Sequence, residues 1–231
     1  MKIIRHRGQE QLSRNMLGSY EIDVRLCDDE DGDPSDSFLI LRHDLHGGMR
    51  GEPLGTFLSG WLRDNVGQRN LLALNVKQDG LAPMLNELLQ HHGILQDQYF
   101  CFDMAQPEIP IYAQAGLPLA TRASQYGIEY PMGEYIWFDW YPHVTVSPAS
   151  LYQELTMNLT RARVDEGALK IVAVSPELHG EYKTHVREAV WSLAREKNFW
   201  GVCTKFADEA EKFFNDSKGN TMRPGRSTGP R

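Results

Sequence analysis

A short apolar run at residues 1–5 ends in His6, Arg7 and Gly8, and three later runs follow the same plan. These runs are residues 20–26, 38–44 and 72–77. Each carries polar or charged side chains of the types that are common in catalytic and ligand-binding sites. Short apolar runs that alternate with helical patterns are typical of parallel strands in an α/β fold. In a (β/α)8 barrel, side chains at the carboxyl ends of the strands converge on one site. The four runs therefore predict one cluster of histidine, carboxylate, amide, lysine and arginine groups.

Strand-like and helical patterns alternate along the rest of the chain. The strand-like runs are residues 2–5, 20–26, 38–42, 71–76, 98–103, 117–122, 135–140, 169–175 and 199–204. The helical patterns are residues 54–65, 81–92, 108–115, 150–164, 180–198 and 207–215. The acidic connection at 27–37 is too short and polar for the crossover helix that a parallel return requires. We therefore expect residues 20–42 to form an antiparallel β-hairpin after the second strand, which leaves eight strands for the barrel.

The length of 231 residues fits one domain with a large core. We expect a single-domain (β/α)8 TIM barrel over residues 1–216. Residues 217–231 are rich in Gly, Pro, Ser, Thr and Arg, with Met222 as their one apolar side chain apart from the prolines. Such a segment cannot bury enough apolar surface to fold, which predicts a disordered basic tail.

Charge and cysteine content narrow the expected partners and compartment. The net charge of −7 argues against broad nucleic-acid binding, which needs a basic surface. No apolar run reaches the roughly 18 residues of a membrane span, and no signal peptide is recognisable. Cys27, Cys101 and Cys203 are odd in number and widely spaced, which suggests a reducing compartment. The expected location is the cytoplasm, and the oligomeric state stays open.

The candidate residues have complementary chemical roles. His6 and His43 are candidates for general acid and base, because histidine serves both roles near neutral pH. Glu21 and Asp23 are two apart on a strand and share a face, where they repel unless a cation or protons compensate. A hard divalent ion, Mg or Ca, is their natural partner. The alternatives are structural: hydrogen-bonded histidines at strand ends, and carboxylates on an exposed strand edge.

Four motifs together carry a resemblance to a known family. His6-Arg7-Gly8, then Glu21-x-Asp23, then His43-Asp44, then Lys77 at the end of a later strand resemble the glycerophosphodiester phosphodiesterases. This family belongs to the phospholipase-C-like phosphodiesterases, which are built on a TIM barrel. Order and local context match over residues 2–77, and residues 201–204 resemble the family's last barrel strand. The resemblance places the reaction in lipid metabolism.

The resemblance assigns a role to each matching residue. It implies that His6 and His43 are the general acid and base, without deciding which is which. It implies that Glu21 and Asp23 hold the metal, and that a hydroxyl of the substrate attacks phosphorus to form a cyclic phosphate first. Lys77 is the expected point charge on a phosphate oxygen, and Arg7 a second, bidentate contact. The structural alternative for Lys77 is a solvated strand-end lysine.

The sequence also departs from the family pattern. Asn75 stands where the family has a third carboxylate; its carbonyl oxygen can still bind Mg or Ca, more weakly. Residues 45–70 form only a short connection, where family members commonly carry a larger insertion over the substrate. The short connection implies a more open entrance to the active site or a substrate with a different leaving group. Thr204-Lys205 replaces a frequent Thr-Asp.

Several further residues are weaker candidates. Arg122 ends a predicted strand and is either a phosphate contact or part of a structural salt bridge. Asp103 and Asp139 also end strands and are candidates to line the mouth. The aromatic residues Trp137, Trp140 and Tyr141 either stack on a sugar or polyol or belong to the core, and His46 is close enough to Asp44 to reach the site. The remaining histidines show no ligand spacing and are expected on the surface; they are His91, His92, His143, His179 and His185.

The sequence therefore predicts a phosphoric diester hydrolase. We expect metal-dependent hydrolysis of a small glycerophosphodiester-like molecule by two-histidine acid–base catalysis. The alternative is a non-catalytic or substrate-shifted barrel that binds a phosphorylated polyol or sugar. The GxxxxGK, GxSxG and HExxH motifs do not occur in the sequence. Their absence argues against a P-loop nucleotide-binding protein, a serine hydrolase with a GxSxG motif and a zincin metalloprotease.

Overall fold

A computed structural model describes most of the chain. The described residues are 1–7, 16–27, 38–43, 51–128, 133–141, 146–161, 169–180 and 183–216. Gly8, Asp44, His46 and His143 lie outside these ranges, as does the predicted tail at 217–231.

Within these ranges the chain forms eleven strands and six α-helices. The strands are β1 (Lys2–Arg5), β2 (Ser19–Cys27), β3 (Phe38–Leu41), β4 (Glu52–Pro53), β5 (Leu72–Val76), β6 (Tyr99–Phe102), β7 (Ala120–Ser124), β8 (Gly127–Ile128), β9 (Tyr135–Asp139), β10 (Lys170–Val174) and β11 (Gly201–Thr204). The helices are α1 (Leu54–Asp64), α2 (Ala82–His91), α3 (Ile109–Gln114), α4 (Pro148–Arg161), α5 (Thr184–Glu196) and α6 (Ala207–Asn215). The fold is mixed α/β, with strands and helices alternating as the sequence predicts.

The described strands belong to one sheet, and eight of them pair in parallel. β1 pairs with β2, β2 with β5 and β5 with β6. A parallel bridge between Cys101 and Leu119 leads from β6 to the residue before β7. The pairing continues through β7, β9, β10 and β11, and β11 pairs with β1. Because the eight strands run in one direction, their carboxyl ends lie at the same edge of the sheet.

Three further strands pair antiparallel to their neighbours. β3 pairs with β2, with Leu41 opposite Val24 and Phe38 opposite Cys27. The two-residue strands β4 and β8 pair with β3 and β7. The sequence does not reveal β4 or β8, because two residues are too few to show an alternating pattern.

The core has an inner and an outer layer, separated by the alternation of side chains along each strand. On β5, Leu72 and Leu74 share a cluster with the buried residues of α1 and α2, on the outer side. Leu71 and Ala73 instead pack with Ile4 and other residues of an inner cluster. Both faces of the strand are buried, as is usual for parallel strands covered by helices.

Candidate functional site

The same alternation decides which polar side chains reach the inner face. Tyr20, Ile22 and Val24 of β2 pack in the outer cluster. Glu21 and Asp23 have the opposite parity and therefore point inward. Asn75 likewise follows the inner residues Leu71 and Ala73.

The eight residues that the sequence selects line one cavity of about 190 Å³ at the carboxyl ends of the strands. They are His6, Arg7, Glu21, Asp23, His43, Asn75, Lys77 and Arg122. The cavity is also lined by residues of the opposite strands, among them Asp103, Trp137, Asp139, Tyr141 and His179. The sequence-selected residues therefore meet at one place, and the role of each stays a prediction.

The turn after β1 contacts the Glu21 carboxylate through His6 and Arg7. The backbone N–H of His6 donates to the Thr204 carbonyl at 3.1 Å, and His6 Nε2 lies 3.6 Å from Glu21 Oε2. Arg7 has a left-handed backbone with φ of 49°, and its N–H donates to Glu21 Oε2 at 2.9 Å. Burial, followed by the positive charges of Arg7 and Lys205, lowers the pKa of His6 to about 3. The His6 imidazole is therefore uncharged at neutral pH in the metal-free protein.

A set of buried oxygen atoms lies beside this turn. Glu21 and Asp23 are each 1% exposed, and Asp23 is in register with Asn75 on β5. Asn75 Nδ2 donates to Glu21 Oε1 at 3.0 Å, while its Oδ1 is buried and has no hydrogen-bond partner among the described residues. Burial and the neighbouring Asp23 carboxylate raise the pKa of Glu21 to about 7. The charge of the pair is partly offset by Lys77, whose Nζ lies 3.5 Å from Asp23 Oδ1.

Arg25 fixes the two strand ends that carry His43 and Lys77. Its Nε and one terminal nitrogen donate to the His43 carbonyl at 3.2 and 3.0 Å. The other terminal nitrogen donates to the Lys77 carbonyl at 2.9 Å. Arg25 was not among the predicted site residues, although its spacing gave a signal: it lies two residues after Asp23 and so shares the inward face.

The opposite side of the cavity is an ion-pair network around Arg122. Its guanidinium donates to Asp103 Oδ1 and to Asp139 Oδ2, each at 2.7 Å, and to the Tyr141 hydroxyl at 2.8 Å. Lys77 Nζ also donates to Asp103, at 3.2 Å. Burial disfavours the Arg122 charge, but the hydrogen bond to Asp139 and the charges of Asp103 and Asp139 together outweigh burial and raise the pKa of Arg122.

The expectation that His179 lies on the surface is wrong. This histidine lines the cavity, its Nε2 lies 2.5 Å from Asp139 Oδ1, and its ring centroid is 4.0 Å from that of Tyr141. It ends a short 3-10 helix, Pro176–His179, that follows β10 directly. The only signal in the sequence was its position just after a strand, because no motif surrounds it. Burial opposes ionisation of Asp139, but the His179 and Arg122 hydrogen bonds lower its pKa.

The aromatic candidates separate into two groups. Trp137 and Tyr141 line the cavity, and the Trp137 ring lies 4.2 Å from that of Phe102, which also lines it. Trp140 belongs to the core: it is 7% exposed and donates its indole N–H to the Val146 carbonyl at 2.8 Å. His91 and His185 are exposed on helices, as expected.

Three solved structures with a similar fold are phosphodiesterases. The glycerophosphodiester phosphodiesterase from Agrobacterium tumefaciens is 14% identical, with a TM-score of 0.57 over 95% of this chain and 100% of that one. A phosphodiesterase from Oleispira antarctica, in complex with the product sn-glycerol-3-phosphate, is 13% identical, with a TM-score of 0.56 over 93% and 97%. A mutant tryptophan synthase alpha-subunit from Pyrococcus furiosus is 11% identical, with a TM-score of 0.50 over 93% and 95%.

These likenesses show the fold alone, because the identities are low and proteins with different activities share it. No family model matches the sequence, and no curated protein does. Among the described residues, no three His, Cys, Asp or Glu side chains are grouped as a metal site, and no helix has the length and apolarity to cross a membrane. The residues that line the cavity are therefore the basis for proposing a function.

Proposed function

We propose that this protein is a metal-dependent phosphodiesterase that acts on small glycerophosphodiester-like molecules. The observation that carries the proposal is the convergence of two histidines, three oxygen-donor side chains and the cations Arg7 and Lys77 on one cavity. Hydrolysis of a phosphodiester needs these groups: a base, an acid, and positive charge against the phosphoryl oxygens.

The proposed scaffold is a closed (β/α)8 barrel with the antiparallel hairpin β2–β3 beside it. Its support is the cyclic order of the parallel pairings, in which β11 returns to β1. In such barrels the active site lies at the carboxyl ends of the strands, where this cavity is found.

The proposed metal ligands are Glu21, Asp23 and Asn75, with Mg or Ca as the ion. The donor set fits a hard cation, because it offers two carboxylates and an amide oxygen from neighbouring strands. Asn75 Oδ1 is buried and has no hydrogen-bond partner among the described residues. A bound metal ion would give this oxygen atom a partner. When bound, the ion would supply Lewis-acid stabilisation of the phosphoryl charge.

Arg7 and Lys77 are the proposed phosphate contacts. Lys77 Nζ lies 3.2 Å from Asp103 and 3.5 Å from Asp23, so its charge is held at the cavity between the two carboxylates. Arg122 was predicted to be either a phosphate contact or part of a structural salt bridge. Its ion pairs with Asp103 and Asp139 favour the salt bridge, which links strand ends on the opposite side of the cavity.

His6 and His43 are the proposed proton-transfer pair. A hydroxyl of the substrate loses its proton and attacks phosphorus, a cyclic phosphate forms, and water then opens it to a phosphomonoester. The hydrogen bonds from the His6 N–H to Thr204 and from Arg25 to the His43 carbonyl would hold both histidines in place.

An assay of released glycerol phosphate tests this function. The purified protein is incubated with glycerophosphocholine, glycerophosphoethanolamine and glycerophosphoglycerol, with Mg or Ca and again with EDTA. We expect metal-dependent product from at least one diester, and a loss of about 100-fold or more in His43→Gln. His185→Gln, an exposed substitution of the same kind, serves as the matched control and should retain full activity.

A non-catalytic barrel that binds a phosphorylated polyol or sugar is the second candidate. The observation in its favour is Asn75, whose amide donates to Glu21 and so stabilises the pocket without a metal. Metal binding separates the two functions only in part, because a binding protein can keep its ion. Product formation that depends on His43 would exclude the binding function.

A further inference from the structure

A second cavity, of about 540 Å³, lies at the amino ends of the parallel strands. Among its lining residues, Lys2 and Lys170 begin β1 and β10, and Trp200 comes directly before β11. His6 follows Lys2 by four residues on the same strand, which is roughly 13 Å at about 3.3 Å per residue. None of the described residues lines both this cavity and the candidate active site. A ligand bound here would therefore be separate from the groups proposed for hydrolysis.

Cationic side chains gather at this cavity, although the chain as a whole has a net charge of −7. Lys170 is neutralised by Glu134, whose Oε2 lies 2.9 Å from the lysine Nζ. The Lys2 and Arg69 side chains form no ion pair and no hydrogen bond with any described residue. Asp97 also lines the cavity, but it too forms no ion pair within the described part of the chain. Lys2 and Arg69 thus present two positive charges with no anionic group in contact.

These two charges are close enough to disfavour each other. Burial, followed by the positive charge of Arg69, lowers the pKa of Lys2. Like charges at one place cost free energy unless a group of opposite charge compensates them. An anion bound between Lys2 and Arg69 would remove that cost, because an ammonium and a guanidinium both donate charge-assisted hydrogen bonds to phosphate or carboxylate oxygens.

Trp200 adds a neutral hydrogen-bond donor to the cavity. The indole N–H groups of Trp61, Trp140 and Trp191 each donate to a protein oxygen. The Trp200 indole N–H has no hydrogen-bond partner among the described residues, and its ring is only partly buried. Lys2 Nζ lies 5.9 Å from the centroid of this ring, so the free donor and the free cation are neighbours.

We propose that this cavity binds the phosphate group of a small phosphomonoester through Lys2, Arg69 and the Trp200 indole. A phosphomonoester carries nearly two negative charges at neutral pH and has three acceptor oxygens, which matches two uncompensated cations and a third donor. The volume lies within the range of sites for small molecules. This binding site does not depend on the proposed function, because none of its residues takes part in the proposed hydrolysis.

The test is isothermal titration calorimetry with inorganic phosphate and with sn-glycerol-3-phosphate, in low-salt buffer with EDTA at about pH 8, where phosphate is dianionic. The parent protein carries Lys77→Met, which removes a phosphate contact proposed for the candidate active site. Lys2→Gln and Arg69→Gln are added to it one at a time. Arg161→Gln, an exposed substitution on α4 that removes the same charge away from both cavities, is the matched control. Circular dichroism checks that each variant is folded.

We expect both probes to bind the parent protein and the Arg161→Gln control equally well. Lys2→Gln and Arg69→Gln should each raise Kd by about 10-fold or more, since a charge-assisted hydrogen bond contributes about that factor. An unchanged Kd in both variants would place the bound phosphate elsewhere, and the absence of binding by either probe would show that the cavity takes no phosphate. Binding of inorganic phosphate alone would limit the cavity to the free ion. Each of these three results overturns the assignment to a phosphomonoester.

Discussion

Replacing Asn75 by aspartate would give the cavity the third carboxylate that the resemblance to glycerophosphodiester phosphodiesterases leads one to expect. In the metal-free protein this change removes the hydrogen bond from Asn75 Nδ2 to Glu21 Oε1, which is 3.0 Å long. It also places a new negative charge beside the two buried carboxyl groups of Glu21 and Asp23. The same charge would favour a divalent cation, so Asn75→Asp should have opposite effects on stability without and with metal.

The expected loss of stability follows from the general strength of charge repulsion and of hydrogen bonds to charged groups. Two like charges about 4 Å apart repel by about 4 kcal/mol at an effective dielectric constant of about 20. The lost hydrogen bond to a charged acceptor adds about 1.5–3 kcal/mol, and uptake of a proton by one carboxyl reduces the total. We expect a net loss of about 4 kcal/mol in EDTA, and about 1 kcal/mol corresponds to about 2–4 °C in a protein of this size. The expected fall in Tm is therefore about 8–16 °C.

Thermal unfolding followed by circular dichroism measures this directly, in EDTA and in millimolar Mg or Ca. The metal should raise the Tm of wild type modestly and that of Asn75→Asp much more, because binding to the folded state stabilises it by mass action. Asn86→Asp adds the same charge on α2, away from the cavity, and should change Tm by little in either buffer. An equal fall in Tm for Asn75→Asp with and without metal would refute the assignment of Asn75 as a ligand.

Three other substitutions test the remaining roles. His6→Ala should abolish turnover while the Tm stays close to wild type, and activity that survives it would remove His6 from the mechanism. Lys77→Met should raise KM or lower kcat/KM for phosphodiesters by about 10-fold or more, since a charge-assisted contact contributes about 1.5–3 kcal/mol; unchanged kinetics would make Lys77 a solvated strand-end residue. Arg25→Gln should lower stability by about 2 kcal/mol in urea unfolding and slow turnover, because the carbonyls of His43 and Lys77 lose their shared donor. Full activity in that variant would show that Arg25 does not position the two residues.

Much of the fold could be predicted because the decisive signal was local. Parallel strands such as β5 and β6 are runs of mainly apolar residues buried on both faces, and the helices between the strands carry apolar residues at helical spacing. The strand β8 was missed because two residues carry no period, and its pairing with β7 depends on the turn between them. The short acidic connection after β2 was informative for the opposite reason: its length limits how the chain can return.

The residues on the two sides of the cavity differ in how readily their proximity could be predicted from the sequence. Glu21 and Asp23 share a face of one strand, so their proximity follows from spacing alone. Asp139 and His179 are 40 residues apart, and only the parallel pairing of β9 with β10 brings them together. Arg25 was overlooked for another reason: its spacing was visible, but its function is to bind backbone carbonyls, which no side-chain motif records.

The most direct test of the central claim is phosphorus NMR of the purified protein with a panel of glycerophosphodiesters. Spectra are recorded with Mg or Ca and again with EDTA. Metal-dependent conversion of a diester to a phosphomonoester, through a transient cyclic phosphate, is the result that the two-histidine, metal-assisted account predicts. Unchanged diester signals in a protein that binds the metal would contradict it and favour a binding function for the cavity.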